Sequence, residues 1–253
     1  MIPPFILGKG HFGTVVAVRD TATSDDCVVK LYKRSKQEAL LLMKEKNFLL
    51  AAKRSGSPYI IQYLDDFMDR RLGYYMIMWP VCRETMEERV RRARRAQPGV
   101  PEDGGYDYAT IAKYLYEIAM GLEALHEMRI IHCDLALRNI LLTHDDHVRL
   151  SDLGVAYNDR AGGLPSRASI KKGSFSLAPE MRTTSAKAVF DTSSDCWSFG
   201  YCAYLMACKE LPPPLSLAAP GRGPHPPDFP PWLMVSRTRW IPHPLIPIGS
   251  PPT

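Results

Sequence analysis

The sequence predicts an α+β fold in two unequal parts, a small sheet carrying one helix and then a larger, mainly helical region, and three observations carry that reading. Five short strand-like runs bounded by turn residues punctuate the first 78 positions, broken by one helical segment. Beyond Met78 the apolar period lengthens from two residues to about 3.6. Two short strand-like runs then follow a long helix and bring Asn139 and Asp152 to one rim.

Taken in order, Ile6-Leu7 and Thr14 to Val18 flank a group of glycines as the arms of a hairpin would, and Cys27 to Leu31 reads as a third strand. From about Lys36 to Lys53 the pattern is helical. Leu42, Glu45 and Leu49 fall at i, i+3 and i+7, which sets one carboxylate on an apolar, inward-facing stripe. Ile60 to Leu64 and Tyr74 to Met78 read as two more strands. Arg83 to Ala96 is predicted as one amphipathic basic helix, and Gln97-Pro98-Gly99 through Gly104-Gly105 as a loop. Tyr108 to His126 carries Ile111, Tyr114, Leu115, Ile118, Leu122 and Leu125 at helical spacing. Ile140 to Leu142 and Val148 to Leu150 are short strands around a turn at Asp145-Asp146. The last 43 residues, from Leu211, hold 14 of the 22 prolines and keep no hydrophobic period, so a polyproline-like, disordered tail is expected.

A length of 253 residues with 45% hydrophobic content is enough for a real core. No apolar run reaches the roughly 18 residues that a membrane-spanning helix needs. The longest, Trp197 to Cys208, reads as a buried helix. Met1-Ile2-Pro3-Pro4 places no basic segment ahead of an apolar stretch, so an intracellular, cytoplasmic chain without a secretory signal is expected. The six cysteines form no CxxC pair and are read as reduced, buried thiols. The net charge of +5 is mostly local, with six Arg against three Glu between Arg83 and Arg95. That excess is read as a solvated helix face and not as a nucleic-acid site.

Chemistry concentrates in four places. Gly8, Gly10 and Gly13 lie between two strands, where missing side chains let backbone N–H groups approach phosphates. In dinucleotide-binding folds the third glycine opens a helix, whereas here strand-like residues continue to Val18, so ATP is expected over NAD. Lys30 ends a β-branched run on an inward face, where a lysine needs an anionic partner. Asp134 and Asn139 stand five residues apart in Ile131-His132-Cys133-Asp134-Leu135-Ala136-Leu137-Arg138-Asn139, and Asp152-Leu153-Gly154 follows. Asp134 is a candidate base for an attacking hydroxyl, and Asn139 and Asp152 offer the hard oxygen donors that suit Mg²⁺. Each motif alone is weak. Their joint order is not.

In that order the chain resembles the eukaryotic-type protein kinase domain. The resemblance runs from Phe5 to about Cys208 and includes Ala178-Pro179-Glu180 and Asp195-Cys196-Trp197-Ser198-Phe199-Gly200. It implies a two-lobed kinase fold, with an N-lobe over 5–78, a C-lobe over 79–210 that lacks its last helices, and the tail at 211–253. It further implies ATP and Mg²⁺ as cofactors and a protein substrate. Leu7, Val15, Met78, Trp79 and Val81 would line the nucleotide with the glycines, the Trp79 carbonyl and Val81 amide bonding the adenine. Lys30 would meet the α- and β-phosphates and pair with a glutamate. Glu45 is chosen over Glu38, which lies only eight residues past Lys30. Asp195 would anchor the catalytic loop.

Some residues depart from the family pattern. Cys133 stands where an Arg usually precedes the base, so phosphorylation at Ser166, Ser169, Ser174 or Ser176 is expected to matter little as an ordering switch. Ala136 replaces the basic residue of serine/threonine kinases, and Arg138 resembles tyrosine kinases, which leaves the hydroxyl class open. Leu153 stands for Phe. The family partner of Glu180 would come from the helices that the proline-rich tail replaces, so modest stability or a partner covering that face is expected. Two rival readings are a pseudokinase scaffold without turnover and a small-molecule kinase of the aminoglycoside type.

Overall fold

A computed structural model describes residues 5–10, 13–71, 73–95, 107–158, 178 and 191–207. The expected loop at 97–105, the serines from Ser166 to Ser176, Glu180 and the proline-rich segment lie outside the described residues.

The first part is a five-stranded antiparallel sheet built from β1 (Phe5–Gly10), β2 (Gly13–Arg19), β3 (Asp26–Tyr32), β4 (Gln62–Asp69) and β5 (Gly73–Trp79), in the order β1-β2-β3-β5-β4. Its register sets Lys30 opposite Val15 on one side and Met76 on the other. Gly13 opens β2 with φ 131°, and a Cβ there would sit 1.9 Å from the Leu31 carbonyl oxygen, so no larger residue fits. Helix α1 (Lys36–Lys53) starts where the Ser35 hydroxyl accepts from the Glu38 N–H. It turns Leu42, Glu45, Leu49 and Ala52 inward, against a core that includes Tyr32 and Met76.

Two sequence expectations need correction here. Ile60 and Ile61 do not belong to the strand expected over Ile60 to Leu64. They are buried against β9 (Val148–Leu150), where the Ile61 N–H donates to the Leu150 carbonyl and the Leu150 N–H to that of Tyr59, and the strand itself runs from Gln62 to Asp69. Burial of two isoleucines holds the chain there until the polar edge strand begins. The single basic helix over Arg83 to Ala96 is instead strand β6 (Cys82–Thr85) followed by α2 (Met86–Arg95). Pairing of Cys82, Glu84 and Thr85 with β8 (Ile140–Thr143) keeps the first residues extended. The helix then begins at a reciprocal cap: Thr85 Oγ1 accepts from the Glu88 N–H, and Glu88 Oε2 accepts from the Thr85 N–H. Nor is its basic face wholly solvated, because Arg89 is buried and pairs with Asp146 at 2.5 Å and with Glu84 at 3.3 Å.

Helix α3 (Tyr108–Glu127), capped by the Asp107 carboxylate, buries Ile111, Tyr114, Ile118, Leu122 and Leu125. It passes so close to β9 that a Cβ on Gly121 would stand 2.8 Å from a Leu150 methyl. After it come β7 (Ile130–Ile131), a 3-10 turn over Leu137–Asn139, the β6-β8-β9 sheet, a second 3-10 turn over Leu153–Val155, and β10 (Tyr157–Asn158), which pairs with β7. Helix α4 (Thr192–Ala207) packs on α3 and begins five residues before the apolar run noted in the sequence. It buries Ser194, Asp195, Phe199, Cys202, Ala203 and Met206, while Trp197 remains partly exposed. The five described cysteines are free thiols, and Cys196 is only half-buried. No helix among the described residues is long and apolar enough to cross a membrane.

Candidate active site

Strand period two puts Lys30 on the same face of β3 as Val28 and Tyr32, toward α1. The Lys30 ammonium donates to Glu45 Oε1 at 2.9 Å and Oε2 at 2.7 Å, and to Asp152 Oδ1 at 3.1 Å. Lys30 is 7% exposed and Glu45 2%. One buried cation thus faces two carboxylates, of which Glu45 is buried and Asp152 partly exposed. Burial pulls the Lys30 pKa down, but the charges of Glu45 and Asp152 outweigh it and hold the ammonium firmly protonated. Burial likewise pushes Glu45 up from the usual carboxylate range, a push that Lys30 opposes and the nearby Asp152 charge reinforces. Glu38 heads the helix at its cap and takes no part in this pair.

Asp152 adopts a left-handed backbone, φ 64° and ψ 63°, just before the 3-10 turn in which Leu153 is fully buried. Gly154 comes close to both acids: a Cβ there would lie 3.5 Å from Asp152 Oδ1 and from Glu45 Oε2.

The second cluster is built on the loop between β7 and β8. Asp134 Oδ1 accepts from Arg138 Nη2 at 2.5 Å, and Oδ2 accepts from Asn139 Nδ2 at 3.0 Å. Asn139 Nδ2 also donates to the Asp134 carbonyl at 2.7 Å. The amide nitrogen is thereby committed, which leaves the hard amide oxygen as the donor atom for a cation. Two further bonds join this loop to the strand end that carries Asp152, from the Ser151 N–H and Ser151 Oγ to the Asn139 carbonyl, both 3.0 Å. Two oxygen donors, from Asn139 and Asp152, suit a magnesium ion that keeps water and phosphate as its other ligands.

Below the loop, Asp195 on α4 accepts from the His132 N–H at 2.8 Å, the Cys133 N–H at 3.0 Å and His126 Nε2 at 2.8 Å. Burial alone would raise its pKa, but these donors outweigh burial and hold it below the usual carboxylate range. His132 is fixed as well. The Asp134 N–H donates to its Nδ1 at 3.3 Å, so the ring proton sits on Nε2 and points to the Ser151 carbonyl at 3.1 Å. Cys133 is buried, with φ 64°, and burial keeps its thiol protonated.

Gly8 and Gly10 lie in β1, which pairs Gly8 with Val15 and Gly10 with Gly13. Leu7 is exposed and Val15 half-buried. Met78 is buried opposite Val28, Trp79 ends β5 partly exposed, and Val81 packs on the core.

A family model for the protein kinase domain matches residues 5–217. The chain belongs to the protein kinase family. Among curated relatives, the kinase domain is 28% identical over 213 residues to 3-phosphoinositide-dependent protein kinase 1 of Rattus norvegicus, covering 82% of this chain and 35% of that protein. It is 26% identical over 205 residues to Serine/threonine-protein kinase Nek3 of Oryza sativa subsp. japonica, covering 81% and 33%. It is 26% identical over 214 residues to Citron rho-interacting kinase of Rattus norvegicus, covering 82% and 10%. The chain thus spans about a third or less of these relatives.

Sequence reasoning did not single out Tyr32, whose hydroxyl donates to Glu45 Oε2 at 2.6 Å, nor Ser151, His126 and His132. Tyr32 was recoverable from strand periodicity, two positions beyond Lys30. Ser151 and His126 owe their place to tertiary contacts, while His132 stands inside the motif that ends at Asn139 without having been given a role.

Proposed function

We propose that this chain transfers the γ-phosphoryl group of ATP to a hydroxyl of a protein substrate. The observation that carries this reading is the joining of two clusters, Lys30-Glu45-Asp152 and Asp134-Arg138-Asn139, through the two Ser151 bonds to the Asn139 carbonyl. Lys30, kept charged by its acids, orients the α- and β-phosphates, and the β1–β2 glycines cover them while Leu7, Val15, Met78, Trp79 and Val81 line the base. Asp134 holds the substrate hydroxyl and takes its proton. Its two protein bonds leave lone pairs on both oxygens for that hydroxyl. Asn139 and Asp152 would hold Mg²⁺, which supplies charge neutralisation on the transferring group.

Residues 5–78 serve as the N-lobe and 79–210 as the C-lobe, and 211–253 form the proline-rich extension. The setting is intracellular, in keeping with five free thiols among the described residues. Arg138 favours tyrosine as acceptor, since its guanidinium, beside the Asp134 carboxylate, can reach the transferring phosphate and an aromatic hydroxyl; the printed name of one relative, a serine/threonine kinase, favours the other class.

The test is transfer of labelled phosphate to generic peptides by the wild type, Lys30→Ala and Asp152→Asn. Both variants should lose transfer by more than about a hundredfold, and Asp152→Asn should lose the magnesium dependence of nucleotide binding. Unchanged transfer in both would refute the reading, and phosphoamino-acid analysis of the wild-type products assigns the hydroxyl class.

A further inference from the structure

Lys30 has three N–H donors, and in this structure they face Glu45 Oε1, Glu45 Oε2 and Asp152 Oδ1. An incoming phosphate must take a share of that ammonium. If Lys30 were the sole donor to Glu45, turning toward a nucleotide would leave a carboxylate that is only 2% exposed short of hydrogen bonds, a costly outcome for a buried charge. Tyr32 removes this conflict. It ends β3 with 1% exposure, its ring lies 5.4 Å from the Lys30 ammonium, and its hydroxyl donates to Glu45 Oε2. The ring belongs to the same buried core cluster as Leu42 and Leu49 of α1 and Met76 of β5.

We propose that Tyr32 is a positioning residue: its hydroxyl holds Glu45 in place from the strand, so that Lys30 can engage a nucleotide phosphate without uncovering a buried charge. This rests on the kinase reading above and extends it to a residue that touches no substrate. The donor is dependable. Burial first, and the Glu45 charge after it, push the phenol pKa far up, so the proton stays on Tyr32 throughout the working range. Among the described residues, the titratable groups facing the pair are Lys30 on β3, Asp152 after β9 and, farther off, Glu38 on α1. Of the three only Lys30 can donate to Glu45, and it does so at both oxygens, so once Lys30 turns toward a phosphate the phenol is the donor that remains among these groups.

The test is the dissociation constant of a fluorescent ATP analogue with Mg²⁺, measured on the whole chain as wild type, Tyr32→Phe, Lys30→Met and the double variant, with a thermal melt of each. Tyr32→Phe keeps the ring and is expected to weaken binding about tenfold, as loss of a hydrogen bond to a charged group does. In the Lys30→Met background the same change should move affinity less than twofold, because the hydroxyl acts through Lys30, while its effect on the melt persists. Equal losses of affinity in both backgrounds would show a merely structural role and overturn the proposal. So would Tyr32→Phe affinity within twofold of wild type, or a Tyr32→Phe chain that does not fold. A wild type that binds no MgATP at all fails before the variants are compared, and it refutes the kinase reading and this proposal together.

Discussion

Glu45 on α1 and Asp195 on α4 are both helix-borne carboxylates removed from water, yet they are served differently. Asp195 receives two backbone N–H groups from the loop it supports and an imidazole from α3. Glu45 receives a side-chain ammonium that it shares with Asp152, and a phenol. Accordingly the donors win over burial at Asp195 and its pKa falls, whereas burial wins at Glu45 and its pKa rises. A carboxylate whose partners are backbone groups is an anchor. One whose partner is a side-chain ammonium can take part in ligand binding, because the same cation can also donate to a phosphate.

The largest effect that would break this comparison is at the anchor. Asp195→Ala strands two buried N–H groups and His126, and should cost about 3–5 kcal/mol. At roughly 2–4 °C per kcal/mol for a domain of this size, the melting temperature should fall by roughly 6–20 °C. A thermal melt within a couple of degrees of wild type would show that Asp195 is not the anchor described. Next, Glu45→Gln removes charge but keeps shape and an acceptor. Transfer should drop about 10- to 100-fold while the melt moves by only a few degrees. A loss of stability as large as that of Asp195→Ala would erase the distinction between the two acids.

The smallest effect concerns acid pH. Asp195 has a folded pKa below its unfolded value of about 3.9, so its stabilisation is complete above that value and is lost as pH falls through the folded pKa. Denaturant melts from pH 6 down to 3 should therefore steepen below about pH 4 in the wild type, and less so in Asp195→Asn. Identical acid limbs would mean that the carboxylate is no better solvated by the protein than by water.

Much of the fold was legible because its elements bury one face. The stripe Leu42-Glu45-Leu49 gave α1 its orientation as well as its length, and α3 followed from the same period. The basic segment was misread because six arginines dominate its composition, while the boundary is set by pairing with β8, a contact some 60 positions away. Its cap, Thr85 with Glu88, was a local signal that could have placed the start of α2. Ile60 and Ile61 were read as strand because an apolar pair does not reveal which surface will cover it. In the candidate site, motif order brought Lys30, Asp134, Asn139 and Asp152 to notice. Tyr32 and Ser151 drew none, since their importance lies in hydrogen bonds to other residues and not in any motif.

Gly13 bears on how inactive copies of such a chain would be recognised. What forbids a side chain there is the Leu31 carbonyl of the next strand, 1.9 Å from where a Cβ would stand. That obstruction exists whether or not a phosphate ever enters. A sister chain that had lost every step of turnover would still be obliged to keep glycine at this position to close its first hairpin. Retention of the third loop glycine is thus a mark of ancestry and architecture, and a poor witness to chemistry.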